Sequence, residues 1–331
     1  MSTDDAGVGV EVDVILTAQV PQPHWYVYRP RGATTLTRFA RGLTGRDEAV
    51  RSPCLAYLLR HPSAGAILID TGMHPDARAH LRRDFGGPMG TLFRNLRVAD
   101  QPFDAQLRAL GVEPAEVDRV LMTHLHVDHT SGMRLLPNAL FTCTAAEWAA
   151  TRPRFAAGKG YVRHHLPSES RMRLVDFDKT GEPYGAFSRT IDLLGDGSIR
   201  LVSTPGHTVG HMSVLLALAD GRQLLVVGDA AYTLRNISEQ ILPMLTAGDR
   251  DSIRSLAEIK AFAEQTPEAL IVPSHDPLAW QQLDRQPWRS PPEPPPRNPV
   301  RARGLQKLGL SPVRSPEPIP SAQSPHAKWW A

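Results

Sequence analysis

Residues 120–129 read VLMTHLHVDH, with three histidines and an aspartate crowded behind an apolar run. His124 and His126 are two apart, so on an extended chain they point to the same side and converge on one point. Asp128 and His129 follow where the chain turns and can face a neighbouring point. Imidazole nitrogens and carboxylates at this density suit zinc or a similar first-row metal. With 13 histidines in 331 residues, chance would produce the pattern in ~one chain per thousand.

Three other places repeat the design, a polar residue just past an apolar strand. His207 closes TPGH after residues 201–203, Asp229 follows 224–227, and His275 closes PSH after 270–272. Asp220 and Gly221 form a hairpin signal. It folds the strand that begins after His207 against the strand that ends before Asp229, so both residues reach one sheet edge. His124, His126, Asp128, His129, His207, Asp229 and His275 are thus candidate ligands at four strand ends, enough for two metals.

The elements that must position them alternate between strand and helix patterns. Residues 10–20 alternate as a strand, and 55–59 pairs with 66–69 through a turn at 62–65. Leu107, Leu110 and Val112 share a helix face leading into a strand at 117–122, and 140–144 is a further short strand containing Cys143. Residues 201–203, 213–218, 223–227 and 270–272 read as strands. Ile253, Leu256, Ile259 and Phe262 recur at three-residue steps, the pattern of an amphipathic helix. Hairpins first, with β-α units mixed in, imply an α+β chain with a sheet-on-sheet core and helices outside.

Composition narrows the class. The chain is 41% hydrophobic and 21% charged, which is globular, and no apolar run reaches the ~18 residues of a membrane span. The acidic start MSTDD lacks the features of a signal peptide, and two cysteines 89 positions apart read as free thiols of a reducing, cytoplasmic compartment. Residues 287–331 hold 12 of the 30 prolines and seven basic against two acidic residues, so the net +3 becomes −2 over residues 1–286. The expected organisation is a flexible start at 1–9, one catalytic domain at 10–286 and a disordered, basic, proline-rich tail at 287–331, with a short helical turn at 305–310. The acidic folded part argues against nucleic acid as a partner.

On these residues the chain resembles the metallo-β-lactamase-fold hydrolases over roughly residues 10–280, with Asp70 in ILIDTG (67–72) as a further match. The resemblance implies a four-layer αβ/βα sandwich with a dinuclear site at the sheet edges. His124, His126 and His207 would hold one metal, Asp128, His129 and His275 the other, and Asp229 would bridge them with Asp70 in support behind. Within that family TPGHTVGHMS (204–213) and GDAAYT (228–233) are most similar to the N-acyl-homoserine lactonases, and Tyr232 matches their substrate-polarising tyrosine. The bland alternative for Tyr232 is packing against the sheet.

The chemistry so implied is opening of a lactone ring. Two divalent ions, zinc first among them, would make a bridging hydroxide from water near neutral pH, which attacks the carbonyl carbon. Tyr232 would polarise the carbonyl oxygen, and Asp128 would carry the proton to the leaving alkoxide. The alternatives are an aryl ester, thioester or phosphodiester hydrolase on the same scaffold, or a non-catalytic metal-binding module. His211 is read as a supporting histidine, not an eighth ligand, and His164 with His165 receive no role. Residues 24–28 (HWYVY) form either a strand with core aromatics or an apolar rim for an acyl chain. The expected partner is a small lactone or ester. A homo-oligomer and a partner for the tail are left open, and no membrane is expected.

Overall fold

The computed structural model describes residues 8–30, 32, 49–86, 90 and 93–283. The segment 287–331, with the turn expected at 305–310, lies outside the described residues, as do residues 1–7. Strands β1 (Glu11–Pro23), β2 (Ala49–His61), β3 (Gly65–Ile69), β4 (Arg97–Val98), β5 (Arg119–Leu121), β6 (Leu140–Thr144) and β7 (Met172–Val175) form one sheet, ordered β4-β1-β2-β3-β5-β6-β7. Strands β8 (Glu182–Tyr184), β9 (Phe187–Asp192), β10 (Ile199–Ser203), β11 (Met212–Ala217), β12 (Gln223–Gly228) and β13 (Leu270–Pro273) form the other, ordered β13-β12-β11-β10-β9-β8. The first sheet is antiparallel through β1, β2 and β3 and parallel from β3 through β5, β6 and β7. The second is antiparallel except where β12 meets β13.

Alternation along the strands sorts side chains into layers. Leu55, Tyr57, Leu59, Ile67, Ile69 and Leu121 face between the sheets and meet Leu201, Val214, Leu216, Leu224 and Val226. Their neighbours Ala56, Leu58, Leu68 and Val120 face outward onto Phe103 and Leu107 of the helix Phe103–Ala109 and Trp148 of the helix Ala145–Ala150. On the far side Val202, Leu215, Leu225 and Val227 pack on Ile237 and on Leu256, Ile259 and Phe262. The result is the αβ/βα sandwich. Both faces of β2 are covered, which is why residues 54–59 form an unbroken apolar run. Each large aliphatic side chain so buried contributes ~1.5–3 kcal/mol.

One expectation is corrected and one open alternative is narrowed. In the helix Asp249–Gln265 the buried stripe is Ser252, Ser255, Leu256, Ile259, Phe262 and Ala263, and Ile253 is 56% exposed. Steps of three fall ~60° short of a full turn, so a strict three-residue series spirals off the buried face; the true stripe mixes threes and fours. Residues His24–Val27 form a helical turn, not a strand. The Asp220 and Gly221 hairpin closes as expected, with Leu218 N donating to Arg222 O at 2.8 Å. Both cysteines are free and buried. Among the described residues no helix is long and apolar enough to cross a membrane.

Candidate metal centre

Each candidate ligand sits where a strand has just stopped. Beyond β5, Met122 N donates to Thr142 O at 2.8 Å and Thr123 O accepts from Met212 N at 2.9 Å, which ties the first sheet to the start of β11. The chain then enters the helical turn Val127–Thr130, which carries Asp128 and His129. At the end of β12, Gly228 has φ +63°, and a Cβ there would lie 2.6 Å from His211 Nε2. Only glycine allows that bend and that approach, and Asp229 follows it. Past β13, His275 N donates to Tyr232 O at 3.1 Å, joining the β12 and β13 ends.

The structure brings all seven residues together. His124, His126 and His207 form one group, His124, His129 and Asp229 a second, and Asp128, His129 and His275 a third; within each, the donor atoms lie within 4.8 Å of one another. Asp229 is the hub. Its Oδ2 is 3.2 Å from His275 Nε2, 3.4 Å from His207 Nε2 and 3.9 Å from His124 Nε2, and its Oδ1 is 3.3 Å from His129 Nε2. Asp128 Oδ2 lies 3.6 Å from His275 Nε2 and 3.9 Å from His129 Nε2.

The far nitrogens of three imidazoles are anchored, which aims their Nε2 atoms inward. His275 Nδ1 donates to Pro53 O at 2.8 Å, and His129 Nδ1 to Asp70 Oδ2 at 2.7 Å. Thr123 Oγ1 donates to the same Asp70 oxygen at 2.7 Å and so accepts from His124 Nδ1 at 3.1 Å. Asp70 Oδ1 takes the Thr123 backbone N–H at 2.8 Å. Asp70, at φ +54°, therefore stands behind two ligands without joining the donor cluster. His211 Nε2 accepts from Asp229 N at 2.9 Å and its Nδ1 meets Thr204 Oγ1 at 2.9 Å. Both nitrogens are occupied, so it fixes the hub's backbone. Such outer partners set ligand orientation and basicity.

Charge follows the same division. Burial holds His124 and His207 well below the usual imidazole range and brings His126 down to about 4. These three rings stay neutral at physiological pH, the form in which imidazole binds a metal. On the other side burial opposes charge on His129, but Asp70, Asp229 and Asp128 outweigh it and raise it well above the usual range. Burial likewise opposes ionisation of Asp229, and His275, His129 and His207 override it, holding the carboxyl well below normal. Among the described residues, His124 Nε2 and Asp229 Oδ1 are nevertheless buried with no hydrogen-bond partner. Buried polar groups are rarely left so. Five imidazoles and two carboxylates converging on one place, two of their inward atoms unpartnered among the described residues, fit a pair of divalent cations.

Tyr232 borders this cluster rather than merely packing on the sheet. It is buried, its ring lying 5.0 Å from that of His275 and 5.7 Å from that of His207. Three further residues escaped the sequence reading. Tyr26 has its ring 6.0 Å from that of Tyr232. Its signal was the aromatic cluster at 24–28, and the choice between core and rim resolves toward the site. Glu147 is buried between two ligand loops. Its TxxE spacing from Thr144 reads locally as a helix cap, and nothing local says otherwise. His165 is buried against Thr130 and Asp84, beneath the helical turn that carries His129.

Residues 49–275 match the metallo-beta-lactamase superfamily. N-acyl homoserine lactonase AttM of Agrobacterium fabrum is 35% identical over 240 residues, 71% of this chain and 86% of that protein. N-acyl homoserine lactonase AiiA of Bacillus thuringiensis subsp. kurstaki is 26% identical over 226 residues, 68% of this chain and 81% of its own. A solved structure of an N-acyl homoserine lactone hydrolase with N-hexanoyl-L-homoserine at its catalytic metal centre is similar in fold. Its TM-score is 0.64 at 20% identity, covering 87% of this chain and 99% of that one. The chain belongs to the metallo-beta-lactamase superfamily. Within it, the protein is an enzyme of the metal-dependent hydrolase kind.

Proposed function

We propose that the protein hydrolyses ester bonds in lactone rings, with N-acyl-homoserine lactones as the substrate class. The relatives of that name support the reading. The observation that carries it is Tyr232, a phenol wedged between the rings of His207 and His275 at the donor cluster. His124, His126 and His207 would hold one cation and Asp128, His129 and His275 the other, with Asp229 shared between them; zinc suits this donor set. Two bound cations would lower the pKa of a shared water and place positive charge beside the substrate carbonyl.

The protein groups then divide the work. Burial, with the negative field of Asp229, keeps the Tyr232 phenol well above its ordinary pKa, so at neutral pH it is always a donor and can hold the developing oxyanion. Tyr26, with its ring beside that of Tyr232, helps to set where that phenol lies. Asp128, beside His129 and His275 at the inner face, takes the proton released by the attacking water. It returns that proton to the ring oxygen as the C–O bond breaks, leaving an alcohol and a carboxylic acid, which then loses its own proton to solvent.

A hydrolysis panel tests the proposal: N-acyl-homoserine lactones of several chain lengths, simple γ-lactones, an aryl ester, a thioester and a phosphodiester, each with and without chelator. Chelator-sensitive opening of the acylated lactones, ahead of every other class, is expected. Turnover confined to the phosphodiester or thioester would overturn the assignment.

A further inference from the structure

Glu147 is not among the seven ligands, yet it touches both loops that carry the three-histidine group. It sits in the first turn of the helix Ala145–Ala150 with its side chain buried. Its carboxylate accepts from Leu125 N at 2.9 Å and from Gly210 N at 3.1 Å. Leu125 lies between His124 and His126, and Gly210 is three residues past His207. Thr144 completes the grip, its hydroxyl accepting from Glu147 N at 3.1 Å and donating to Gly210 O at 2.7 Å. The docking leaves no room for a side chain: a Cβ on Gly210 would lie 2.2 Å from Glu147 N and 2.2 Å from Thr144 Oγ1.

We infer that Glu147 is a positioning residue that sets the separation of the two loops, and so controls occupancy of the His124, His126 and His207 site in particular. This rests on the two-cation reading above. The second donor set has its own anchors, since Asp70 holds His129 and Pro53 O holds His275. Neither of those bonds passes through Glu147. Loosening the clamp should therefore damage one site and spare the other.

The test is cobalt(II) binding to the full chain as wild type, Glu147→Gln and Thr144→Val, with His207→Ala and His275→Ala as references for loss of each site. Glutamine keeps the shape but turns an N–H2 toward one of two backbone N–H groups, so one of the two bonds is lost. Wild type should bind two equivalents. Glu147→Gln should bind one ion tightly and the other ~10–100-fold more weakly, with a visible spectrum like that of His207→Ala. Thr144→Val leaves the carboxylate in place and should weaken the same ion by a smaller factor, which keeps the test open if Glu147→Gln does not fold. Two tightly held ions in both variants, or a spectrum matching His275→Ala, would overturn the clamp and leave the two-cation reading standing. A wild type that binds no cobalt would overturn that reading and the clamp together.

Discussion

Two buried aspartates lie on either side of the helical turn that carries His129, each met by histidine, and they are built to opposite ends. Asp229 is surrounded within 4 Å by the Nε2 atoms of His124, His129, His207 and His275. Among the described residues no arginine or lysine forms an ion pair with it. Asp84, at the end of the helix Ala77–Asp84, also has a histidine neighbour, with His165 Nε2 at 3.3 Å. But Arg134 donates to its Oδ1 at 2.5 Å and Ser131 to its Oδ2 at 2.5 Å. Geometry alone makes Asp84, His164 and His165 a candidate metal group like those at Asp229. The arginine decides otherwise. A cation is already there, supplied by the chain, whereas among the described residues the charge partners of Asp229 are all histidines. Gathering so many titratable groups out of water costs on the order of several kcal/mol, and a fold carries that cost where a ligand removes it.

The contrast breaks most severely at its hub. Asp229→Ala should release both ions and abolish lactone hydrolysis, a loss well beyond the ~10–100-fold of an outer partner. Elemental analysis and turnover check it together, and a variant retaining two ions would contradict the bridging role. Tyr232→Phe comes next: both ions retained, turnover down by ~10–1000-fold, the scale of one oxyanion donor. Unimpaired turnover would remove the tyrosine from the mechanism. Tyr26→Phe should be milder, ~2–10-fold in turnover with the metal content unchanged, since it keeps the ring beside Tyr232 and removes only a neighbouring hydroxyl. An effect equal to that of Tyr232→Phe would mean that Tyr26 meets the substrate itself.

These residues also divide by how far they could be read from the sequence. The seven donors were legible because each follows its strand within a few residues, so strand ends and one hairpin suffice to gather them. His211 was legible in the same way, one step before β11. Tyr26 was not, because its partner lies 206 positions on, and whether 24–28 is strand or helical turn depends on residues 233–249, which hold it. Asn236 Nδ2 bonds Val27 O at 2.9 Å and Met244 N bonds Tyr26 O at 2.9 Å. Glu147 was hidden by its own local plausibility, since a TxxE helix start accounts for it without any long-range contact. The sandwich was legible from alternation, but the buried face of the helix Asp249–Gln265 was misjudged at Ile253, where one apolar residue faces solvent. His165 has no local signature at all, because its partners Thr130 and Asp84 come from two other elements.

The Asp84 cluster supplies the subtlest test, one of stability rather than catalysis. Burial by itself would raise the Asp84 carboxyl, but His165, Ser131 and Arg134 together pull it below the usual carboxylate range. A carboxyl whose folded pKa is depressed contributes stability above its unfolded pKa of ~3.9 and loses it as the pH falls through the folded value. Asp84→Asn removes that contribution at every pH. At neutral pH the variant should melt lower than wild type by the worth of a charged hydrogen bond, ~1.5–3 kcal/mol, and the gap should narrow on acidification below ~4. It should still bind two cations and turn over as wild type does, because the arginine and not a metal balances this carboxylate. Paired thermal melts at pH 7 and pH 3 measure the first point and elemental analysis the second. A gap that stays constant would mean the carboxylate's charge is not what stabilises the cluster. Loss of one ion equivalent in Asp84→Asn would erase the distinction between the two aspartates.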